Sequence, residues 1–364
     1  MKKIIYILLT ASLLSCSNDN DLASDSVIIG GNASEQQQDL NPQNPLDIYI
    51  EKNITQPYNI RLIYRFLERE ITRSWVLTPT KYQKAVEFST MFNYLFMEPY
   101  VQATSKEFMK EHSFNTLILI GENAYHATRT PMRGLATNGV KIHLMNINNI
   151  RPNNIFYLND NVLRTLYHET AHTWHQYIDY PTDYKRISGT DYKSNSWNGA
   201  WSGNTYLRAG FISAYGSYNS DEDFVEMIAR YIIYFNATQD CNCATTDTSL
   251  DTNNDGFDDA LYTAWKSSFT NYNGGNSVAS YESSRVWEEQ LALANFKIRD
   301  TEQYTGKEKI EQKMTIIRNY LTNNWNIDLD ILRKEIRNRY PYVAGRTLDG
   351  TSVTQKDFSV LTDN

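Results

Sequence analysis

Five residues, His168-Glu169-Thr170-Ala171-His172, combine the side chains that hydrolysis by a metal-activated water requires. On a helix, residues i and i+4 lie on one face, so two imidazoles at this spacing can reach one cation. Glu169 projects beside that cation, placed to deprotonate a water. Zinc suits the donors: it accepts imidazole nitrogen and carboxylate oxygen, lowers the pKa of a bound water towards neutrality and polarises a carbonyl. A third protein ligand is needed. A His six residues after His172, preceded by a Gly three residues after it, would supply one, but those positions hold Ile178 and His175, so the HExxHxxGxxH pattern fails. The other source is a carboxylate from a downstream helix. Glu222 and Glu226 stand one turn apart, fifty and fifty-four residues after His172. Either can be the ligand, and the other, one turn away, can orient a ligand His through its second ring nitrogen.

The elements that must position these residues are legible around them. Asn159 and Asp160 are suitable N-caps for a helix over 162–178, which carries the motif. Ser220-Asp221-Glu222-Asp223 resembles a capping box opening a second helix, 221–235. Upstream, 60–64 and 116–120 read as strands, the latter as a buried apolar run, and 82–103 has helical spacing. Residues 140–145 alternate like a half-exposed strand, and their place before the motif helix suggests a free edge for an extended substrate. Helical patterns follow at 282–296, 308–323 and 328–339. Between the two metal helices lies a Gly/Ser/Asn/Trp-rich stretch at 181–204, whose Trp197 and Trp201 either line a cleft or plug the core.

Tyr215-Gly216-Ser217-Tyr218-Asn219-Ser220-Asp221-Glu222-Asp223-Phe224-Val225-Glu226 resembles the third-ligand stretch of anthrax-lethal-factor-like gluzincins. That resemblance implies that Glu222 binds zinc, that Glu226 orients a ligand His, and that Tyr215 stabilises the transition-state oxyanion; Tyr218 is the fallback for that last role or a packing residue. More broadly, 46–340 resembles the substrate-import-associated zinc metallohydrolase lipoproteins of Bacteroidota, which implies a peptidase-like fold and an association with outer-membrane importers of the SusC/SusD kind. The expected fold is α+β and zincin-like, of the gluzincin type: a small mixed sheet with the HExxH helix, and a mostly helical C-terminal lobe. The lobes fall at about 46–180 and 181–345, with a tail at 346–364.

The N-terminus speaks to location. Lys2 and Lys3 precede an apolar run, 4–14, too short to span a bilayer, as in a signal peptide. The run ends Leu13-Leu14-Ser15-Cys16, like a lipobox, which makes 1–15 the signal and Cys16 the lipidated residue. Residues 16–45, polar and Gln-rich, read as a tether. The acidic stretch after Cys16 resembles a surface-export signal, so the expected location is the outer membrane, facing outward.

Other features bound the function. The net charge is −7 and no basic block occurs, which argues against nucleic acid. Cys241 and Cys243, one residue apart, suit a local structural role better than a metal site. Asp251, Asn253, Asp255 and Asp259 start like a calcium loop, but Tyr262 stands where the bidentate Glu belongs, so a weak Ca2+ loop and a metal-free turn are both open. His112, His126 and His143 lack ligand spacing, and His175 reads as a structural His. The primary reading is a Zn2+ peptidase acting on peptide or protein. The alternatives are a silent substrate-binding lipoprotein, against which the retained Glu169 argues, and an amidase on glycopeptide or peptidoglycan.

Overall fold

The computed structural model describes residues 44–65, 77–125, 131–132, 134–137, 141–276 and 285–362. The expected signal, Cys16, nearly all of the expected tether and His126 lie outside the described residues.

Four short strands form the central sheet: β1 (Arg61–Ile63), β2 (Thr116–Leu119), β5 (Gly134–Thr137) and β6 (Lys141–Leu144), in the order β1-β2-β6-β5. The first three neighbours run parallel and β5 pairs antiparallel to β6. A second, two-stranded sheet pairs β3 (Ala124–Tyr125) with β4 (Pro131–Met132). Period-two alternation divides the sheet's apolar side chains. Leu62, Leu117, Leu119, Ile142 and Leu144 face the main core, while Ile63, Ile118 and Ile120 form a small cluster with Met145 and Ala124. Covering on both faces explains why β2 is buried throughout.

This arrangement corrects the reading of 140–145. β6 is hydrogen-bonded on both sides, to β2 and to β5, so it offers no free edge to a substrate. Its middle position also buries Ile142, His143 and Leu144 in succession, where alternation had suggested a half-exposed strand.

Helix α1 (Tyr82–Phe92) continues through a π-turn, Asn93–Met97, into Glu98–Ala103, which fulfils the helical spacing of 82–103. Phe88, Phe92 and Phe96 stack at i+4, with ring centroids 5.7 and 5.2 Å apart. Helix α2 (Arg164–Tyr177) carries the HETAH motif. It is entered earlier than Asn159: Asn154 caps a short helix, Ile155–Leu158, by accepting from the Tyr157 amide, and a π-turn, Asn159–Leu163, joins that helix to α2. Asn159 is therefore helical, and its buried side chain accepts from the Tyr340 hydroxyl at 2.6 Å.

Helix α3 (Ser220–Ile233) starts one residue before the predicted boundary. Its cap is Asn219, whose Oδ1 accepts from the amides of Asp221 and Glu222 at 2.9 and 2.8 Å. Ser220 is thus the first helical residue and not the cap, because Asn219 has the extended backbone that a cap needs. The 181–204 stretch contains short helical turns, Thr182–Ile187, Gly189–Asp191 and Ser194–Gly199.

Among the described residues, regular elements after β6 are helical, including α4 (Gly306–Trp325) and α5 (Leu329–Arg337). The expected 282–296 helix is described from Trp287 to Ala294, behind Val286, whose neighbourhood pairs with Phe235. One apolar cluster runs from Leu46 to Phe358 and includes side chains from both expected lobes. The closing segment docks on the body, with Phe358 buried and its carbonyl accepting from Thr90 Oγ1 at 2.8 Å.

Candidate metal centre

Helices α2 and α3 pack side by side and bring the HETAH face against the first turns of α3. His168 Nε2 and His172 Nε2 lie 3.1 and 3.5 Å from the same oxygen, Glu222 Oε2. Among the described residues no other set of three His, Cys, Asp or Glu side chains brings its ligating atoms together in this way. Glu222 Oε2 is buried and lacks a hydrogen-bond partner among the described residues. An orphaned carboxylate oxygen between two imidazole nitrogens is a donor set suited to a cation.

Each imidazole is held from behind. His168 Nδ1 lies 3.0 Å from Glu226 Oε1, within reach of the ring nitrogen that an orienting carboxylate would hold. Glu226 Oε2 in turn accepts from Ser213 Oγ at 2.6 Å and Arg230 Nε at 2.7 Å. His172 Nδ1 lies 2.8 Å from His175 Nε2. In the tautomer that ligation requires, His172 Nδ1 donates to His175 and its Nε2 lone pair faces Glu222. His175 is therefore more than a packing residue. Its spacing of three from His172 was the available signal, and Arg230 at i+4 from Glu226 was another. Ser213 had none.

Burial and charge set the protonation states. Burial would push His168 down, but the Glu222 and Glu226 carboxylates hold it up at about 10. Burial would raise Glu222, yet the two imidazoles bring it to about 2. Burial, then the neighbouring His172, pushes His175 down to about 4, so it is neutral and can accept. Glu169 is buried and makes no hydrogen bond among the described residues. Burial raises its pKa, opposed by the two imidazoles.

The Tyr215 ring stacks on His168, centroids 6.1 Å apart, and its hydroxyl is pushed up by burial and then by the charge of Glu222, so it stays protonated. Trp197 meets Tyr215 edge-on at 5.0 Å, beside the site. Trp201 instead pins the loop, donating Nε1–H to Ser217 Oγ at 2.8 Å. Tyr218 stacks behind Tyr215 at 6.1 Å.

A buried ion pair that the sequence did not announce fixes the first turn of α3. Lys313 Nζ lies 2.6 Å from Asp223 Oδ2, both side chains wholly buried, and donates to the Gly210 carbonyl at 2.7 Å. It ties the residue next to Glu222 to α4.

The model of the family described as "Putative zinc-binding metallo-peptidase" matches residues 39–330. The chain belongs to this family. It is similar to a solved structure described as a "putative zinc-binding metallo-peptidase" from Bacteroides caccae ATCC 43185, with 21% identity, 88% of this chain and 98% of that chain covered, and a TM-score of 0.57. That likeness is one of fold. No curated protein matches the chain. The family's description supports zinc as the metal, and His168, His172 and Glu222 are the candidate ligands.

The remaining candidates fall elsewhere. Cys241 and Cys243 form a disulfide with each other, a local structural role. In the acidic loop, Asp251, Asn253 and Asp255 accept from amides of the loop itself, while Asp259 accepts from Thr252 and Asn253.

Proposed function

We propose that this chain is a zinc-dependent peptidase of the gluzincin type, on a zincin-like fold. The observation that carries the reading is the convergence of His168 Nε2 and His172 Nε2 on the orphaned Oε2 of Glu222. A mixed sheet whose last strand, β5, is antiparallel, followed by the HExxH helix and the Glu222 helix, supports the fold assignment.

His168, His172 and Glu222 would hold the ion. Zinc bound there supplies Lewis acidity, acidifying a water and polarising the scissile carbonyl. Glu169 takes the proton of the attacking water and passes it to the leaving amine. Burial, which raises its pKa, favours its holding that proton between the two steps. Protonated Tyr215 donates to the developing oxyanion. Glu226 and His175 keep the imidazoles aimed. The reading also has the enzyme work at the cell surface, anchored through Cys16 and beside a SusC/SusD-type importer; this rests on the sequence of 1–45 and the family resemblance.

The test compares wild type with Glu169→Gln on a peptide mixture. The variant is expected to keep one zinc per chain by metal analysis while cleavage slows about 10²- to 10⁴-fold. Stoichiometric zinc with no cleavage of any peptide by the wild type would sink the peptidase reading in favour of a substrate-binding protein.

A further inference from the structure

Beside the candidate metal centre, a cavity of about 340 Å³ is lined by Arg164, Arg230 and Arg285, together with Tyr215, Trp197 and Ser213. It adjoins the reacting centre through shared residues. Tyr215 stacks on His168, and Ser213 donates to Glu226. Arg164 lies on the motif helix itself, one turn before His168.

The three cations are not equivalent. Arg230 is engaged, its Nε donating to Glu226 and its Nη1 donating to the Tyr234 hydroxyl at 2.5 Å. Arg285 Nε donates to Asp160 Oδ1 at 3.0 Å. Arg164 has no hydrogen bond or ion pair among the described residues, although it is half-buried. Burial, and then the charge of Arg230, pushes its pKa down in spite of the fields of Glu226 and Asp160, so the local balance favours a further anion. A guanidinium offers five N–H donors in a planar fork that matches a carboxylate. An unpaired one, turned into a cavity next to a catalytic site, is an unfilled half of such a pair.

We infer that this cavity is a substrate subsite for a carboxylate, which Arg164 binds and which restricts the peptidase to substrates carrying an acidic group near the cleaved bond. The inference rests on the peptidase reading for the cleavage, but binding at the cavity does not require turnover. The carboxylate is either an Asp or Glu side chain or the free C-terminus of the peptide.

The test uses the full-length, zinc-loaded Glu169→Gln protein, which should hold peptides without cutting them. Three fluorescent hexapeptides of one neutral sequence are titrated: one with a free C-terminus, one amidated, and one amidated with a Glu introduced. At least one carboxylate-bearing peptide should bind about ten- to a hundredfold more tightly than the neutral amide, and which one does so identifies the source. Adding Arg164→Gln should bring the three affinities within about twofold of one another, whereas Arg164→Lys should keep part of the preference. Equal affinities for all three peptides, or no binding, would overturn the inference without the need for any Arg164 variant. A preference that survives Arg164→Gln in a folded protein would overturn it too. Cleavage by the wild type without such a preference leaves the peptidase reading intact and removes this one; preference without cleavage does the reverse.

Discussion

A histidine ligates well only when its second nitrogen is satisfied, because that bond fixes both the tautomer and the direction of the lone pair. The imidazoles of the two candidate ligands solve this differently. His168 leans on a carboxylate, Glu226, which is itself held by Ser213 and Arg230. His172 leans on His175, a neutral acceptor. Replacing His175 by Ala should therefore weaken zinc binding about 10- to 100-fold, measured by competition with a chromophoric chelator, while the far-ultraviolet circular dichroism stays unchanged. Equal zinc affinity in the variant and the wild type would reduce His175 to packing.

At the scale of elements, α3 must present Glu222 at its start and hold its end still. The start is set by the Asn219 cap and the Lys313–Asp223 pair. The end is set by α5. Buried Arg333 donates to the Tyr231 and Tyr234 carbonyls, which the helix leaves without partners, and pairs through two nitrogens with Asp240 at 2.8 and 2.5 Å. Burial alone would push the Asp240 carboxyl up, but Arg333 and Arg337 beside it hold it below the usual carboxylate range. A carboxyl whose pKa is depressed by folding adds stability above its unfolded pKa and loses that stability as pH falls through the folded value. Asp240→Asn should thus be about 3 kcal/mol less stable than wild type at pH 7, with the gap closing in acid, as urea titrations at a series of pH values would record. A gap independent of pH would mean that the Asp240 charge contributes nothing.

For the whole molecule, the apolar cluster joining the sheet, the motif helix and the C-terminal helices makes separate melting of two lobes unfavourable. The candidate ligands, drawn from α2 and α3, would also couple a bound metal to that core. A single thermal transition is expected, raised by zinc in proportion to the logarithm of its free concentration. The gain should be about 4 kcal/mol at a thousandfold excess over Kd, and calorimetry with and without a chelator would measure it. Two transitions, or a midpoint blind to zinc, would count against this coupling.

Local chemistry was legible along the chain. The i, i+4 histidines with the adjacent Glu169, and the i, i+4 acids at 222 and 226, follow from helical periodicity alone, as do the apolar runs of β2 and α1. These are short-range patterns, and the structure brings His168, His172 and Glu222 together as a candidate metal site. What no local pattern carries is which segments become neighbours. That β6 is internal, that His175 backs His172, that Ser213 and Arg230 brace Glu226, and that Lys313 is buried against Asp223 were all decided by tertiary packing. So was the start of the motif helix, where a π-turn lets Asn159 reach Tyr340 and leaves the capping to Asn154. The physical reason is that burial removes water as a partner, so each polar group must find its bond on whatever segment the fold places beside it.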